Sequence, residues 1–128
     1  TKFYRAPEVR EAKCTNTKAA DIYAAGIILF TFKTRGILPH SEDNLVGGTN
    51  FSALLHNGDQ KFWAKHVEIQ KKDSKFFDED FKELFIAMTK LNPEDRISIE
   101  RIKKTKWYNG PCYSQEEFKN KVSKLVGY

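Results

Sequence analysis

The stretch TKAADIYAAGIILFTF, residues 17–32, is the feature that most constrains how this chain can fold. Thr17 is a helix start signal, strong helix formers follow it, and apolar side chains then occupy every face of the helix from Ile22 to Phe30. A helix that is apolar all round belongs at the centre of a domain. We therefore expect a mainly helical protein built around this segment.

Length and composition limit the chain to one domain. It has 128 residues, of which 40% are hydrophobic, and two domains would be crowded at this size. The apolar run is far shorter than the roughly 20 residues that cross a bilayer, and no charged and apolar leader precedes it. Cys14 and Cys112 are not in a Cys-x-x-Cys pair, which favours free thiols. We expect a soluble intracellular protein of the cytoplasm.

Three further segments precede residue 93. Three glycines and Pro39 predict a loop over residues 33–50, and a short helix is expected over 51–55, closed by Asn57-Gly58. The stretch FWAKHVEIQKKDSKFF is ambiguous between helix and irregular chain. The pattern of DEDFKELFIAMTKLN is clearer, because Asp78 can cap a helix that Asn92-Pro93 ends. Its apolar stripe consists of Phe81, Leu84, Phe85 and Met88.

Two helices are predicted after residue 97. Ser98 begins a short one, with Ile99 and Ile102 facing inward. Ser114 and Glu117 have the spacing of a capping box ahead of the last helix. Its apolar side chains Phe118, Val122 and Leu125 suit either a domain-closing helix or a regulatory tail, and we expect packing against the domain.

The charge distribution and the histidine spacing argue against a nucleic-acid site or a zinc site within this chain. The formal net charge is +5, and the whole excess lies between Arg101 and the end of the chain. That segment suits an acidic partner or nucleic acid, but no aromatic residues alternate with its last lysines, which favours a solvated helix face. The three histidines do not stand at zinc-ligand spacing, so each is expected at the surface or partly packed: His40, His56 and His66.

Four motifs resemble the C-terminal lobe of eukaryotic protein kinases, in the family's order. TKFYRAPE resembles the end of an activation segment, and DIYAAG resembles the start of the long central helix. LNPEDR resembles the turn before the penultimate helix, and KTKWY stands where His-x-Trp is usual. The resemblance covers residues 1–108 and leaves 109–128 as a C-terminal helical extension. It implies the incomplete helical lobe of a kinase domain, the back end of a larger enzyme.

The form of these motifs is similar to the serine/threonine branch of the family. Thr1 has the spacing of that branch, whereas Arg5 resembles the cyclin-dependent group. The longer stretch FKELFIAMTKLNPEDRISIERI, with Phe62-Trp63, looks closer to calmodulin-dependent and calcium-dependent kinases. Tyr23 stands where the family has Trp, His40 where it has Phe, and Thr31 near the place of an acidic residue that reads substrate arginine. The expectation of a basic substrate is weakened by this last departure.

The resemblance implies structural roles for five residues. Glu8 and Arg96 are expected to pair and to tie the activation segment to the last helices; loss of one partner then costs about 3 to 5 kcal/mol. Asp21 is expected to hold the backbone of a catalytic loop that this sequence does not contain. Gly26 permits close approach of a neighbouring element. Trp107 belongs to the last motif.

Substrate contacts are implied only for the first residues. Thr1, Tyr4, Ala6 and Pro7 correspond to the loop that receives the phosphoryl acceptor, so a protein substrate is expected. No catalytic or metal-binding residue is assigned here; ATP, magnesium, the N-terminal lobe and the catalytic loop belong to the parent. The chain alone is expected to be inactive, with no nucleic-acid or membrane partner. An exposed apolar patch is expected along Ile22, Ile27, Phe30 or their neighbours.

Two other hypotheses remain. A pseudokinase or scaffold would use the same lobe to bind partners without catalysis, and these residues do not separate it from an active kinase. An unrelated basic module would bind nucleic acid or an acidic partner through residues 101–128, with a steep loss of affinity in salt.

Overall fold

The computed structural model describes residues 4–39, 51–73, 75–110 and 114–127. Within those ranges the chain is helical and contains no strand, so the predicted mainly α fold is confirmed. The helices are α1 (Pro7–Arg10), α2 (Thr17–Lys33), α3 (Phe51–Gln70), α4 (Glu79–Met88), a 3₁₀ turn (Pro93–Asp95), α5 (Ile99–Ile102) and α6 (Gln115–Val126).

Helix α2 is the centre of the domain, as predicted. It begins at Thr17, but the capping side chain is that of Asn16, whose Oδ1 accepts a hydrogen bond from the Ala19 N–H at 3.1 Å. Along its length Ile22, Ile27 and Phe30 are buried. The expected exposed patch therefore does not lie on these three residues. It lies on their neighbours Ile28 and Phe32, which are 43% and 78% exposed.

Phe30 lies in the middle of an aromatic cluster that joins three helices. Its ring stacks on Phe77 at 5.6 Å between centroids and lies 5.1 Å from Phe85 of α4. On the α3 side it lies 5.8 Å from Phe62 and 4.8 Å from His66. Such tilted and offset pairs contribute about 0.5–1.5 kcal/mol each beyond the burial of their surface. This cluster holds α3 and α4 against α2.

Helix α3 corrects two sequence interpretations. The expected short helix over 51–55 is wrong, because one helix runs from Phe51 to Gln70 straight through Asn57-Gly58. The ambiguous segment that follows is its second half, and the helix stops where Lys71 takes φ of 54°. A glycine inside a helix costs about 1 kcal/mol, whereas burying one aromatic side chain stabilises by about 1.5–3 kcal/mol. The stabilisation from burying Phe62 and Trp63 is therefore larger than the cost of Gly58 in the helix.

Helix α4 begins where predicted and buries its predicted stripe, but it ends at Met88, before Asn92-Pro93. The Asp78 carboxylate accepts a hydrogen bond from the Phe81 N–H at 2.8 Å, which caps the helix. Its predicted stripe is buried: Phe81, Leu84, Phe85 and Met88. Helix α4 contacts α2 at Gly26. A Cβ on Gly26 would lie 3.0 Å from Met88 Cβ and 3.1 Å from Thr89 Cγ2. The expected close approach at Gly26 is present.

The last two helices differ from expectation in what they bury. Ser98 caps α5 as predicted, and Ile102 packs at the margin of the core, but Ile99 is 56% exposed. Ser114 Oγ accepts the Glu117 N–H at 3.1 Å, as the capping box predicts. The packing predicted for α6 is wrong, because Phe118, Val122 and Leu125 are 60%, 40% and 83% exposed. Spacing identifies an apolar stripe, but it does not say whether anything covers that stripe.

Candidate functional site: the Glu8–Arg96 junction

The two ends of the kinase-like region meet in a buried ion pair. Arg96 Nη1 lies 2.6 Å from Glu8 Oε1 and Nη2 lies 2.8 Å from Oε2, a two-pronged contact between residues 88 positions apart. The Arg96 side chain is fully buried, and that of Glu8 is 10% exposed. Hydrogen bonding to Arg96 lowers the pKa of Glu8, because it stabilises the charged carboxylate more than burial disfavours it. The pairing expected from sequence is present.

Backbone carbonyls satisfy the rest of the Arg96 guanidinium. Its Nε donates to the Lys90 carbonyl at 2.8 Å, Nη1 to Ala19 at 3.1 Å and Nη2 to Leu91 at 3.2 Å. A guanidinium has five N–H donors, and all five have acceptors here. The charged plane also lies 5.0 Å from the Tyr23 ring centroid. An ammonium group offers three donors from one point, so Lys could not reproduce this arrangement.

Local sequence signals present both partners. Pro7 begins α1 and Glu8 follows in its first turn, where a carboxylate is favoured by the helix dipole. On the other side, Asn92 caps the 3₁₀ turn by accepting the Glu94 N–H at 3.0 Å, and Arg96 follows that turn. Both short elements place a charged side chain toward the start of α2.

The expected acceptor segment is described only in part. Thr1 lies outside the described residues. Tyr4 is half-buried against the aromatic cluster, and Pro7 is half-buried at the start of α1. Ala6 is 1% exposed, and its carbonyl accepts the Val9 N–H at 3.0 Å. Of these residues Ala6 is packed inside the protein, while Tyr4 and Pro7 retain accessible surface next to the junction.

Asp21 lies in a groove that adjoins the junction, whereas Trp107 lies elsewhere. Asp21 is exposed on α2, in a groove of about 650 Å³ whose lining includes Ala19, Arg96 and Ile99. Trp107 is 38% exposed and lies beside Leu84 of α4. The junction thus brings Glu8 and Arg96 together, with Asp21 in the adjoining groove, whereas Gly26 is buried against α4 and Trp107 lies on another surface.

His66 was not predicted as a core residue, yet it is 3% exposed. Its Nε2 lies 2.9 Å from the Pro39 carbonyl, so the ring joins α3 to the segment that follows α2. Burial lowers the pKa of His66, although the bond to Pro39 opposes that shift. The sequence signal that could have predicted the burial of His66 is its position four residues after Phe62, on the same side of a helix. The side chains of His40 and His56 lie outside the description.

Among the described residues, no group of three or more His, Cys, Asp or Glu side chains could hold a metal ion. The described helices also include none that is long and apolar enough to span a membrane.

Comparison with known proteins agrees with this geometry. Residues 1–108 match the sequence model of the protein kinase domain family, and the chain belongs to that family. This confirms the recognition made from the four motifs. No solved structure gives a significant match.

Curated relatives are plant protein kinases. CBL-interacting protein kinase 11 of Oryza sativa subsp. japonica is 30% identical over 111 residues, which are 87% of this chain and 19% of that protein. CBL-interacting serine/threonine-protein kinase 10 of Arabidopsis thaliana is 28% identical over 126 residues, 98% of this chain and 23% of that protein. The chain spans about a fifth of the length of these relatives.

Proposed function

We propose that this chain is the C-terminal helical part of a serine/threonine protein kinase whose whole length transfers the γ-phosphoryl group of ATP to protein hydroxyls. The observation that carries the proposal is the buried pair of Arg96 and Glu8. Glu8 is the last residue of the Ala-Pro-Glu stretch in TKFYRAPE, and Arg96 binds it through two hydrogen bonds. The family match over residues 1–108 and a relative named as a serine/threonine-protein kinase support it.

Residues 1–108 would then be the end of the activation segment and the helices beneath it, and residues 109–128 a helical extension. In this arrangement Tyr4 and Pro7, whose surfaces are partly accessible, would contribute to the surface that receives the protein substrate, and we assign Thr1 to the same acceptor segment. Ala6 would shape that surface from within. Glu8 and Arg96 hold it on the helical body, and Gly26 lets α4 approach α2.

The rest of the parent would supply the catalytic chemistry. Phosphoryl transfer needs a loop over the phosphates, a lysine paired with a glutamate, an aspartate at the acceptor hydroxyl, and an aspartate and an asparagine on magnesium. We assign ATP and magnesium to the parent, and Asp21 to the support of its catalytic loop. We also propose that the parent acts inside the cell, which agrees with the free thiol of Cys14.

The first experiment is to sequence the transcript that encodes Thr1 and to translate the same frame upstream. We expect His-Arg-Asp followed by Asp-Phe-Gly within that frame, and phosphoryl transfer from radiolabelled ATP to a serine-containing protein when the whole product is expressed. The matched control is that product with Asn in place of the His-Arg-Asp aspartate. A frame without either aspartate would instead make the parent a pseudokinase that binds partners.

Inactivity of the 128-residue chain is tested separately. With the same labelled ATP and acceptor protein we expect no transfer above the protein-free background. Transfer that persists in an Arg96→Ala variant would point to a contaminating kinase, whereas transfer by the chain alone that this variant abolishes would contradict the proposal.

A further inference from the structure

One side of α2 is exposed although this helix is the centre of the domain. Ala25 is exposed, and Ile28 and Phe32 are 43% and 78% exposed. Their spacing of three and four residues places the three side chains on one side of the helix, here called the α2 stripe. Covering such an apolar surface removes it from water and is favourable.

The N-terminal end of the α2 stripe is acidic. Asp21 precedes Ala25 by about one turn and lies exposed in the groove that adjoins the junction. Glu94 and Glu100 border the same groove, and both are exposed. The exposed cation of the groove is Lys18, so its carboxylates outnumber its free positive charge.

The C-terminal end of the α2 stripe is basic. Helix α2 ends at Lys33, and Arg35 follows it and is exposed. The depression beside Phe32 is lined by Lys33 and Asp78, whose charges offset each other, so Arg35 gives this end its positive charge. The stripe therefore runs from an acidic end to a basic end, with uncharged side chains between them.

An antiparallel copy of the same helix matches this pattern. With a two-fold axis at Ile28, Asp21 of one copy lies opposite Arg35 of the other, because both are seven positions from the axis, about 10 Å along a helix. In the same register Ala25 lies opposite Phe32, so the small side chain of each copy faces the large one. Facing positions that alternate in size let two helices pack closely.

We propose that two copies of this chain pair through their α2 stripes, antiparallel and about a two-fold axis at Ile28. The same surface is used on both copies, so the contact closes at a dimer. In the parent, the catalytic loop assigned to Asp21 would compete with the second copy, so the pairing belongs to the 128-residue chain. It does not involve phosphoryl transfer, and its failure would therefore leave the proposed function untouched.

Sedimentation equilibrium of the full 128-residue chain tests the proposal. We expect a monomer at about 1 µM and a dimer at about 100 µM, since one helix face makes a small interface. Ile28→Asp places two carboxylates opposite each other at the axis and should weaken the dimer about ten-fold or more. The control, Ile69→Asp, makes the same change on α3 at the same exposure of 43% and should leave the dimer intact.

Charge reversal tests the register. Asp21→Arg or Arg35→Asp alone should weaken the dimer about ten-fold through like-charge repulsion. The double variant should restore it, because each reversed charge again meets its opposite. Glu68→Arg reverses an exposed carboxylate on α3 and should have no effect. Far-UV circular dichroism verifies that each variant is folded.

Cysteine cross-linking tests the direction of the two helices. In a background with Cys14→Ser and Cys112→Ser, Ala25→Cys chains mixed with Phe32→Cys chains should form disulfides between the two kinds of chain. Parallel helices would instead link identical positions. A monomer at all concentrations, a dimer that Ile28→Asp leaves intact, a double charge variant without recovery, or links between identical positions alone would each overturn the proposal.

Discussion

The aromatic cluster around α2 and the α6 helix are both apolar stripes on helices, but they have opposite environments. Phe30 is completely buried among rings from α3 and α4, whereas Phe118 is 60% exposed. Helix α6 nevertheless has the full set of local signals: a Ser114 cap, acidic residues in its first turn, Lys124 in its last turn and Gly127 at φ of 80° after its end. Local signals suffice to define a helix, while burial decides which helices make the domain.

Of the substitutions considered, Phe30→Ala should reduce the stability of the protein most. It removes the ring at the centre of the cluster, and we expect a loss of about 4 kcal/mol in the free energy of unfolding. The control is Phe32→Ala, two residues along the same helix at 78% exposure, which should change stability by less than about 0.5 kcal/mol. Urea titration followed by far-UV circular dichroism measures both. Equal effects would mean that α2 is not the buried centre.

Arg96→Ala comes next, because it leaves the Glu8 carboxylate buried without its partner. We expect a loss of about 3 kcal/mol by the same urea titration. Arg96→Lys should recover only part of it, since an ammonium cannot reach all five acceptors. Arg101→Ala, which removes an exposed arginine, serves as the control and should be close to neutral. Full recovery by Lys would show that charge alone, without the planar geometry, holds the junction.

Gly26→Ala tests the contact between α2 and α4. The added methyl group gains helix propensity but meets Met88 Cβ at 3.0 Å, and we expect a net loss of about 1 kcal/mol. Ala25→Val adds bulk to the exposed neighbouring position and should cost less. A stabilised Gly26→Ala chain, measured by its thermal midpoint, would show that α4 can move away without loss.

His66 makes the stability of the cluster depend on pH. Because the folded-state pKa is lowered from about 6.5, the unfolded chain binds a proton first as pH falls. The stabilising contribution is therefore complete above about pH 6.5 and declines below it. We expect the urea midpoint to fall between pH 7 and pH 5.5, and to fall less in a His66→Phe variant. Parallel pH profiles for the two proteins would exclude His66 as the cause.

Leu125→Ala should have the smallest effect. At 83% exposure its truncation should change the unfolding free energy by less than about 0.5 kcal/mol in dilute monomeric chain. Leu84→Ala makes the same change at 2% exposure and should cost about 3 kcal/mol. A large loss of unfolding free energy in Leu125→Ala would show that α6 packs against its own domain. The contrast between α6 and the buried helices would then not exist.

The sequence alone predicted the caps, the stripes and the kinase motifs. Asp78, Ser98 and Ser114 cap helices as expected, since capping is a contact over three residues that local order fixes. The α4 stripe is buried as expected. Helix α3 was misread because Asn57-Gly58 is a local stop signal, and the burial that outweighs it comes from residues distant in the chain.

Tertiary structure alone decided which polar and apolar groups are covered. Phe62 and His66 are four positions apart, as are Phe118 and Val122, yet the first pair is buried and the second is exposed. Periodicity places side chains on one side of a helix, but only the packing of other elements removes that side from water. The Arg96 site has the same cause: sequence motifs named Glu8 as its partner, whereas the three backbone carbonyls that complete it are brought there by the fold.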